Sequence, residues 1–209
     1  PFSKVCPWAE GIVKHIEVDL SDDASVKAAT ARLSERLEGR GLHALVNNAG
    51  ISPKNARGGR LDAIETAIDT FNHVQRVNLI APLMLCLALI EPLKQAQGAV
   101  VNVTSIAGAQ IHPFAGAAYA VSKAGLSALT RELAFELAGS GVRVNAVSPG
   151  EIATSILSPG TDELVESQVP MKRLGSPKEV AEVVTFLCSG KASYVNGAEI
   201  PINGGQHLL

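Results

Sequence analysis

The chain has 209 residues, of which 46% are hydrophobic and 18% charged, and its formal net charge is −2. This length and composition predict one globular domain with a sizeable core and exclude a disordered chain. The near-neutral charge gives no electrostatic footprint for nucleic acid or for an anionic membrane surface. The longest apolar stretch, residues 79–90, includes Pro82 and is shorter than the roughly 18 residues that suggest a membrane span.

The cysteines and histidines indicate neither disulfides nor a metal site. Cys6, Cys86 and Cys188 are widely spaced, with no CxxC pair, which is typical of a protein in the reducing cytoplasm. The five histidines form no HExxH motif and do not cluster with carboxylates.

Apolar runs of strand length alternate with helical patterns along the chain. In order, we predict a strand at 12–18, a helix from the 21–23 cap to about 38, a strand at 42–47, a helical region at 61–95, a strand at 98–104, a helix at 117–138, a strand at 142–147, a helix at 177–187 and a strand at 198–202. The last of these helices opens with a capping box, Ser176 and Glu179. This alternation predicts an α/β fold with a parallel sheet covered by helices on both faces, as a single domain over residues 1–209.

Small or polar residues follow three of the predicted strands, at 47–50, 104–108 and 148–150. Ligands of open parallel sheets bind outside the carboxyl ends of the strands. Each segment alone is typical of an ordinary turn. Three of them at one edge of the sheet predict a place where the backbone approaches a flat or phosphorylated ligand.

Tyr119 and Lys123 lie four residues apart on a predicted helix and therefore on one face of it. A tyrosine has an ordinary pKa of about 10, so it exchanges its proton poorly at neutral pH. We expect the nearby ammonium to lower that pKa. Ser105, at the end of a buried strand, adds a hydroxyl that can bond a substrate oxygen while Tyr119 moves the proton.

These motifs together resemble the short-chain dehydrogenase/reductase family, from Asp19 onward. The matching residues, in order, are Asn47-Asn48-Ala49-Gly50, Asn78, Ser105, Tyr119, Lys123, Asn145, Pro149-Gly150, Thr154, Gly197 and Asn203-Gly204-Gly205. The resemblance implies a Rossmann-like, doubly wound parallel sheet and a nicotinamide cofactor, NAD or NADP, with NAD slightly favoured. It also implies hydride transfer between a secondary alcohol and a ketone of a small-molecule substrate.

The resemblance also assigns expected roles by position. Ser105, Tyr119 and Lys123 match the catalytic triad, and Asn78 matches a fourth member that holds a water in a proton relay; read alone, Asn78 is a polar residue that bonds helix backbone. Asp19 matches an acid that contacts adenine, and it is explained equally well as a helix-capping acid. The positions matched to cofactor binding are Asp19, Asn48, Ala49, Gly50, Tyr119, Lys123, Pro149, Gly150, Ile152 and Thr154.

The sequence departs from the family at its start. The family opens with a strand, a TGxxxGxG turn, a helix and a second strand, whereas Gly11 is the only glycine here before Gly39. The first βαβ unit, with its phosphate site, is therefore missing from the sequence. We expect a truncated or partly observed enzyme; the alternatives are a natural fragment that serves as a non-catalytic binding or assembly protein, and an unrelated opening segment.

Two further segments are expected to border the substrate pocket. Residues 151–175 are expected to form a mobile flap, and residues 110–116, with His112 and Phe114, the opposite wall. We interpret His112 as a loop residue rather than as a second acid–base group. The sequence leaves open a sugar, a hydroxyacyl chain or a steroid-like substrate, and it disfavours a sugar-nucleotide epimerase because no substrate domain follows the sheet.

The helices around 79–90 and 124–137 are apolar beyond one face. Read alone they are core helices. The family resemblance implies that they form a dimer interface within a homotetramer.

Overall fold

A parallel four-stranded sheet forms the centre of the computed structural model, which describes residues 15–155 and 157–208. The strands, in spatial order, are β1 (Ala44–Asn47), β2 (Ala99–Val103), β3 (Arg143–Pro149) and β4 (Glu199–Ile202). All neighbours are parallel. These four predicted strands are confirmed to within two residues at each end.

The strand predicted at 12–18 is wrong for residues 15–18, which belong to no strand; residues 12–14 lie outside the described part of the chain. The backbone here bonds to a helix instead of to a neighbouring strand. Arg36 donates to the carbonyl of His15, and Arg32 donates to the carbonyl of Glu17.

Seven α-helices flank the sheet in the described residues: α1 (Asp23–Leu37), α2 (Ile68–Gln75), α3 (Ala81–Ala88), α4 (Ile90–Ala96), α5 (Ala117–Leu137), α6 (Thr161–Gln168) and α7 (Pro177–Cys188). Asp22 caps α1 by accepting a hydrogen bond from the backbone N–H of Ala24. The predicted capping box of α7 is confirmed, because Ser176 accepts from the N–H of Glu179 at 3.2 Å and the Glu179 carboxylate accepts from the N–H of Ser176 at 2.7 Å.

Both faces of the sheet are buried under helices. Val100 and Val144 belong to a core cluster with Leu133 of α5. Val101 and Val147 belong to a second cluster, with Leu187 of α7. Alternate residues of a strand point to opposite faces, so β2 buries both sides, which explains its uninterrupted apolar sequence.

The helical region predicted at 61–95 is wrong in its continuity. Its first residues form turns, and the helix begins at Ile68. A π-helical turn, Arg76–Ile80, precedes Pro82, whose missing N–H cannot bond the carbonyl four residues earlier. Pro92 likewise has no N–H to donate to the carbonyl of Ala88. The helical segments on either side of Leu89 are bent by 62° relative to each other.

The segment 151–175, predicted as a flap, contains a helix, α6. Gly160 precedes it in a left-handed conformation, with φ of 85°. Thr161, Leu164 and Val165 are buried. Polar and acidic residues separate these buried residues in the sequence, so the amphipathic helix was not predicted.

No single helix in the described residues is long and apolar enough to cross a membrane; the bent pair around Leu89 passes the same test by length and composition only.

Gly98 shows how closely the chain packs where β2 begins. A Cβ at Gly98 would lie 2.4 Å from the carbonyl oxygen of Leu42. We expect Gly98→Ala to lower the free energy of unfolding by about 1–3 kcal/mol, because backbone must move to admit the methyl group. Gly139→Ala is the matched control, since nothing lies within 4 Å of that Cβ. Equal urea midpoints for the two variants would contradict the close approach.

Candidate active site

A pocket of about 680 Å³ opens at the carboxyl ends of β2 and β3. Segments far apart in the sequence meet there, as expected for an open parallel sheet. The predicted site residues that line it are Asn48, Gly50, Ser105, Tyr119, Lys123, Pro149, Gly150, Ile152 and Thr154. Asn78, Ala49 and Asp19 are not part of the lining.

Ser105 is held next to Tyr119 by a short turn. Its hydroxyl accepts from the N–H of Ala107 at 3.2 Å and caps the 3₁₀ turn Ile106–Gly108. A Cβ at Gly108 would lie 2.9 Å from the backbone of α5, so this turn packs directly on the helix that carries Tyr119. The Ser105 hydroxyl lies close enough to the phenol of Tyr119 to oppose the rise in its pKa.

Lys123 lies one helical turn after Tyr119, as predicted, and is only 3% exposed. Its Nζ donates to the carbonyl of Val103 at 2.7 Å and lies 5.6 Å from the centre of the Tyr119 ring. Burial lowers the pKa of Lys123 to about 8. The ammonium therefore retains its proton at pH 7, at the cost of desolvation.

The expectation that Lys123 lowers the pKa of Tyr119 is wrong for this structure. Burial raises the pKa of Tyr119, the hydrogen bond with Ser105 opposes that rise, and the negative charge of Glu151 adds to it. Lys123 is directed at the carbonyl of Val103. The phenol therefore keeps its proton at neutral pH.

Asn78 lies in the π-helical turn, fully buried behind the pocket. Its Oδ1 accepts from the N–H of Ile51 at 2.9 Å, and its Nδ2 donates to the carbonyl of Ile51 and to the hydroxyl of Ser122. Both amide hydrogens are thus used within the protein. Asn78 fixes the loop that follows β1 against α5, and it does not bond helix backbone; its role in a proton relay stays a prediction.

Asp19 lies before α1, away from the pocket. Its carboxylate accepts from the N–H and the hydroxyl of Ser21, which lowers the pKa of Asp19. Asp22 caps the helix, so the capping explanation for Asp19 is wrong. Its contact with adenine, and a cofactor contact by the exposed Ala49, stay predictions.

Sequence reasoning missed an acid–imidazole pair in the pocket wall. Nε2 of His112 lies 2.5 Å from Oε1 of Glu151, with side chains 9% and 7% exposed. His112 and Phe114 line the pocket, which confirms the wall expected at residues 110–116; the bond to Glu151 is what the sequence did not reveal. The available signal was a glutamate placed directly after the small residues Pro149 and Gly150, at the edge of the sheet where ligands bind.

Comparisons with known proteins match nearly the whole chain. A family model described as enoyl-(acyl carrier protein) reductase matches residues 3–207. Protein FixR of Bradyrhizobium diazoefficiens is 53% identical over 203 residues, covering 97% of this chain and 73% of that protein.

Solved structures show the same fold. An oxidoreductase of the short-chain dehydrogenase/reductase family from Brucella ovis, in complex with a partially ordered NAD, has a TM-score of 0.81 and 49% identity, covering 97% of this chain and 84% of that chain. A 3-oxoacyl-[acyl-carrier protein] reductase with bound NAD from Brucella melitensis has a TM-score of 0.87 and 33% identity, covering 99% and 78%. The predicted Rossmann-like fold is confirmed.

Proposed function

Because the chain belongs to the short-chain dehydrogenase/reductase family, we propose that it is an NAD(P)-dependent oxidoreductase that interconverts a secondary alcohol and a ketone. One observation carries the proposal: Ser105, Tyr119 and Lys123 converge on a single pocket at the carboxyl ends of the parallel strands. A hydroxyl, a phenol and a buried ammonium in one pocket supply a hydrogen-bond donor, a proton donor and a positive charge.

The residues of this pocket fit the nicotinamide end of the cofactor. A Cβ at Gly50 would lie only 3.3 Å from Nζ of Lys123, so glycine leaves the space beside the ammonium open. Pro149 and Gly150 border the same space. When bound there, the nicotinamide ring supplies or accepts the hydride, and Lys123, Thr154 and Ile152 are the residues that would hold the ring and its ribose.

In ketone reduction the protein groups act on the substrate oxygen. The hydroxyl of Ser105 donates a hydrogen bond that positions the carbonyl. The phenol of Tyr119, which keeps its proton at neutral pH, transfers that proton to the oxygen as negative charge develops there. The hydroxyl of Ser105, which opposes the rise in the pKa of Tyr119, stabilises the phenolate that remains.

Alcohol oxidation uses the same groups in reverse and needs Tyr119 as phenolate. Because burial raises the pKa of Tyr119, we expect oxidation to accelerate with rising pH above neutrality, while reduction is favoured at neutral pH. Cofactor absorbance at 340 nm, followed from pH 6 to 10 with secondary alcohols and with ketones, measures both directions. A maximal oxidation rate at pH 6 would contradict this role of Tyr119.

Cofactor binding separates this enzyme from a non-catalytic protein of the same fold. We expect the fluorescence of NADH or NADPH to rise when the protein is added, because the pocket excludes water from the nicotinamide. Gly50→Val should abolish this rise, since the larger side chain fills the space next to Lys123. Gly139→Ala, remote from the pocket, should leave it unchanged.

We also propose that the protein assembles as a homotetramer through α3 and α5. Leu87 on α3 and Val121 and Phe135 on α5 are apolar yet 57%, 50% and 85% exposed. Phe135→Glu should reduce the mass measured by light scattering, because it places a charge in the interface. Ile64→Glu, at a still more exposed apolar residue outside these helices, should not; a monomeric mass for the unaltered protein would refute the assembly.

A further inference from the structure

The hydrogen bonds of His112 define which ring nitrogen faces its partner Glu151. Nδ1 of His112 accepts from the backbone N–H of Phe114 at 3.2 Å, so this nitrogen carries no hydrogen. The ring hydrogen is therefore on Nε2, which donates to Oε1 of Glu151 at 2.5 Å. Oε1 of Glu151 is therefore the acceptor of this hydrogen bond, and its other oxygen is left for a different partner.

Glu151 retains one unused oxygen in the pocket wall. Within residues 15–155 and 157–208, Oε1 is bonded to His112 and Oε2 accepts no hydrogen bond. The side chain is 7% exposed and lies in the lining of the same pocket as Ser105 and Tyr119. Oε2 is not one of the buried atoms that lack a partner, so it is accessible from the pocket, where a ligand can donate a hydrogen bond to it.

The other charges in the pocket restrict what this ligand can be. Lys54 lines it, with Nζ donating to the carbonyl of Phe114 at 2.6 Å, and Lys123 lies at its base. Two ammonium groups disfavour a cationic ligand, and the carboxylate disfavours an anionic group beside it. An unsubstituted alkyl chain would leave the carboxylate oxygen unpaired. A neutral hydroxyl group is repelled by neither the ammonium groups nor the carboxylate, and it can donate a hydrogen bond to the free carboxylate oxygen.

Glu151 lines the same pocket as Ser105 and Tyr119, so it can contact another part of a molecule whose oxygen meets those two hydroxyls. Its charge contributes to the raised pKa of Tyr119. The remaining wall includes apolar side chains, among them Phe114, Ile152 and Leu157. The lining therefore suits a compact carbon skeleton with one polar substituent near the reacting carbon.

Resting on the proposed function, we propose that Glu151 determines specificity by accepting a hydrogen bond from a substrate hydroxyl one or two carbons from the reacting carbon. The substrates are then hydroxylated secondary alcohols and hydroxyketones rather than plain acyl chains. His112 positions the carboxylate through Nε2.

Matched alcohols test this assignment. We expect kcat/KM for cyclohexane-1,2-diol or cyclohexane-1,3-diol to exceed that for cyclohexanol by about ten-fold or more, as hydrogen bonds to charged groups allow. Glu151→Leu should bring the ratio close to one, and Glu151→Gln, which keeps an acceptor oxygen without the charge, should give an intermediate ratio. Glu182→Gln, on the exposed side of α7, is the control and should keep the full preference.

A binding measurement keeps this proposal separate from the proposed function. Ligand-observed NMR on the unaltered protein should show tighter binding of a diol than of cyclohexanol, and Glu151→Leu should remove the difference. Equal binding of diols and cyclohexanol by the unaltered protein, or an undiminished diol preference in both Glu151 variants, overturns the proposal. If the binding preference is found but no secondary alcohol is oxidised with either cofactor, the proposed function fails and the role of Glu151 in ligand selection stands.

Discussion

Replacing Tyr119 by phenylalanine should lower kcat/KM for ketone reduction by about 10²–10⁴-fold, the range that general acid–base catalysis contributes. The variant loses only the hydroxyl of Tyr119, which lines the pocket together with Ser105. The ring still packs at the start of α5, so we expect the fold and cofactor binding to be kept. Steady-state kinetics, circular dichroism and an NADH titration measure these three properties.

Tyr194 provides the matched control, because it is the second of the two tyrosines in the chain and is fully exposed. It does not line the pocket that holds Tyr119. Tyr194→Phe should therefore retain full activity. Full activity of Tyr119→Phe would remove the phenol from the chemistry, whatever the position of the cofactor.

Lys123→Met should abolish most activity and yet make the cofactor-free protein more stable at pH 7. Burial lowers the pKa of Lys123 from 10.5 to about 8, and that difference corresponds to about 3 kcal/mol against the folded state. Loss of the hydrogen bond to Val103 destabilises the variant by about 1 kcal/mol or somewhat more, which offsets part of this gain in stability. We therefore expect the free energy of unfolding to rise by about 1–2 kcal/mol.

The stability that Lys123→Met gains over the unaltered protein should decrease as the pH rises. Below pH 8 the lysine is charged in both folded and unfolded chains, and the full penalty applies. Between pH 8 and about 10.5 the unfolded chain still binds the proton and the folded chain does not, so the unaltered protein becomes more stable as pH rises. The advantage of Lys123→Met should therefore disappear by about pH 10.5.

Urea unfolding at several pH values measures this dependence. Lys27→Met, on the exposed side of α1, is the control and should show no such trend. A lower stability of Lys123→Met at pH 7 would show that the lysine is retained for the fold. The expected gain would show that a destabilising group is kept for chemistry, a known trade-off at active sites.

Local sequence patterns were sufficient for four of the five predicted strands and for the spacing of the main catalytic candidates. The capping box of α7 and the apolar run of β2 specify those elements through residues a few positions apart. Tyr119 and Lys123 share a helix face whatever the surrounding fold. The prediction of α5 as 117–138 was correct to one residue for the same reason.

Features that depend on tertiary packing could not be predicted from local sequence patterns. The pKa of Tyr119 follows from its burial and from Glu151, neither of which the spacing to Lys123 reveals. The bond between His112 and Glu151 joins residues 39 positions apart, and that between Asn78 and Ile51 joins residues 27 apart. Only the folded sheet brings these segments to one edge.

Transfer of an isotope tests the central claim most directly. The protein is incubated with NAD+ or NADP+ and with secondary alcohols that carry deuterium on the hydroxyl-bearing carbon, and the reduced cofactor is examined by mass spectrometry. We predict one deuterium per reduced nicotinamide with the unaltered protein and almost none with Tyr119→Phe. Binding of the cofactor without any transfer of deuterium from any alcohol would contradict the account.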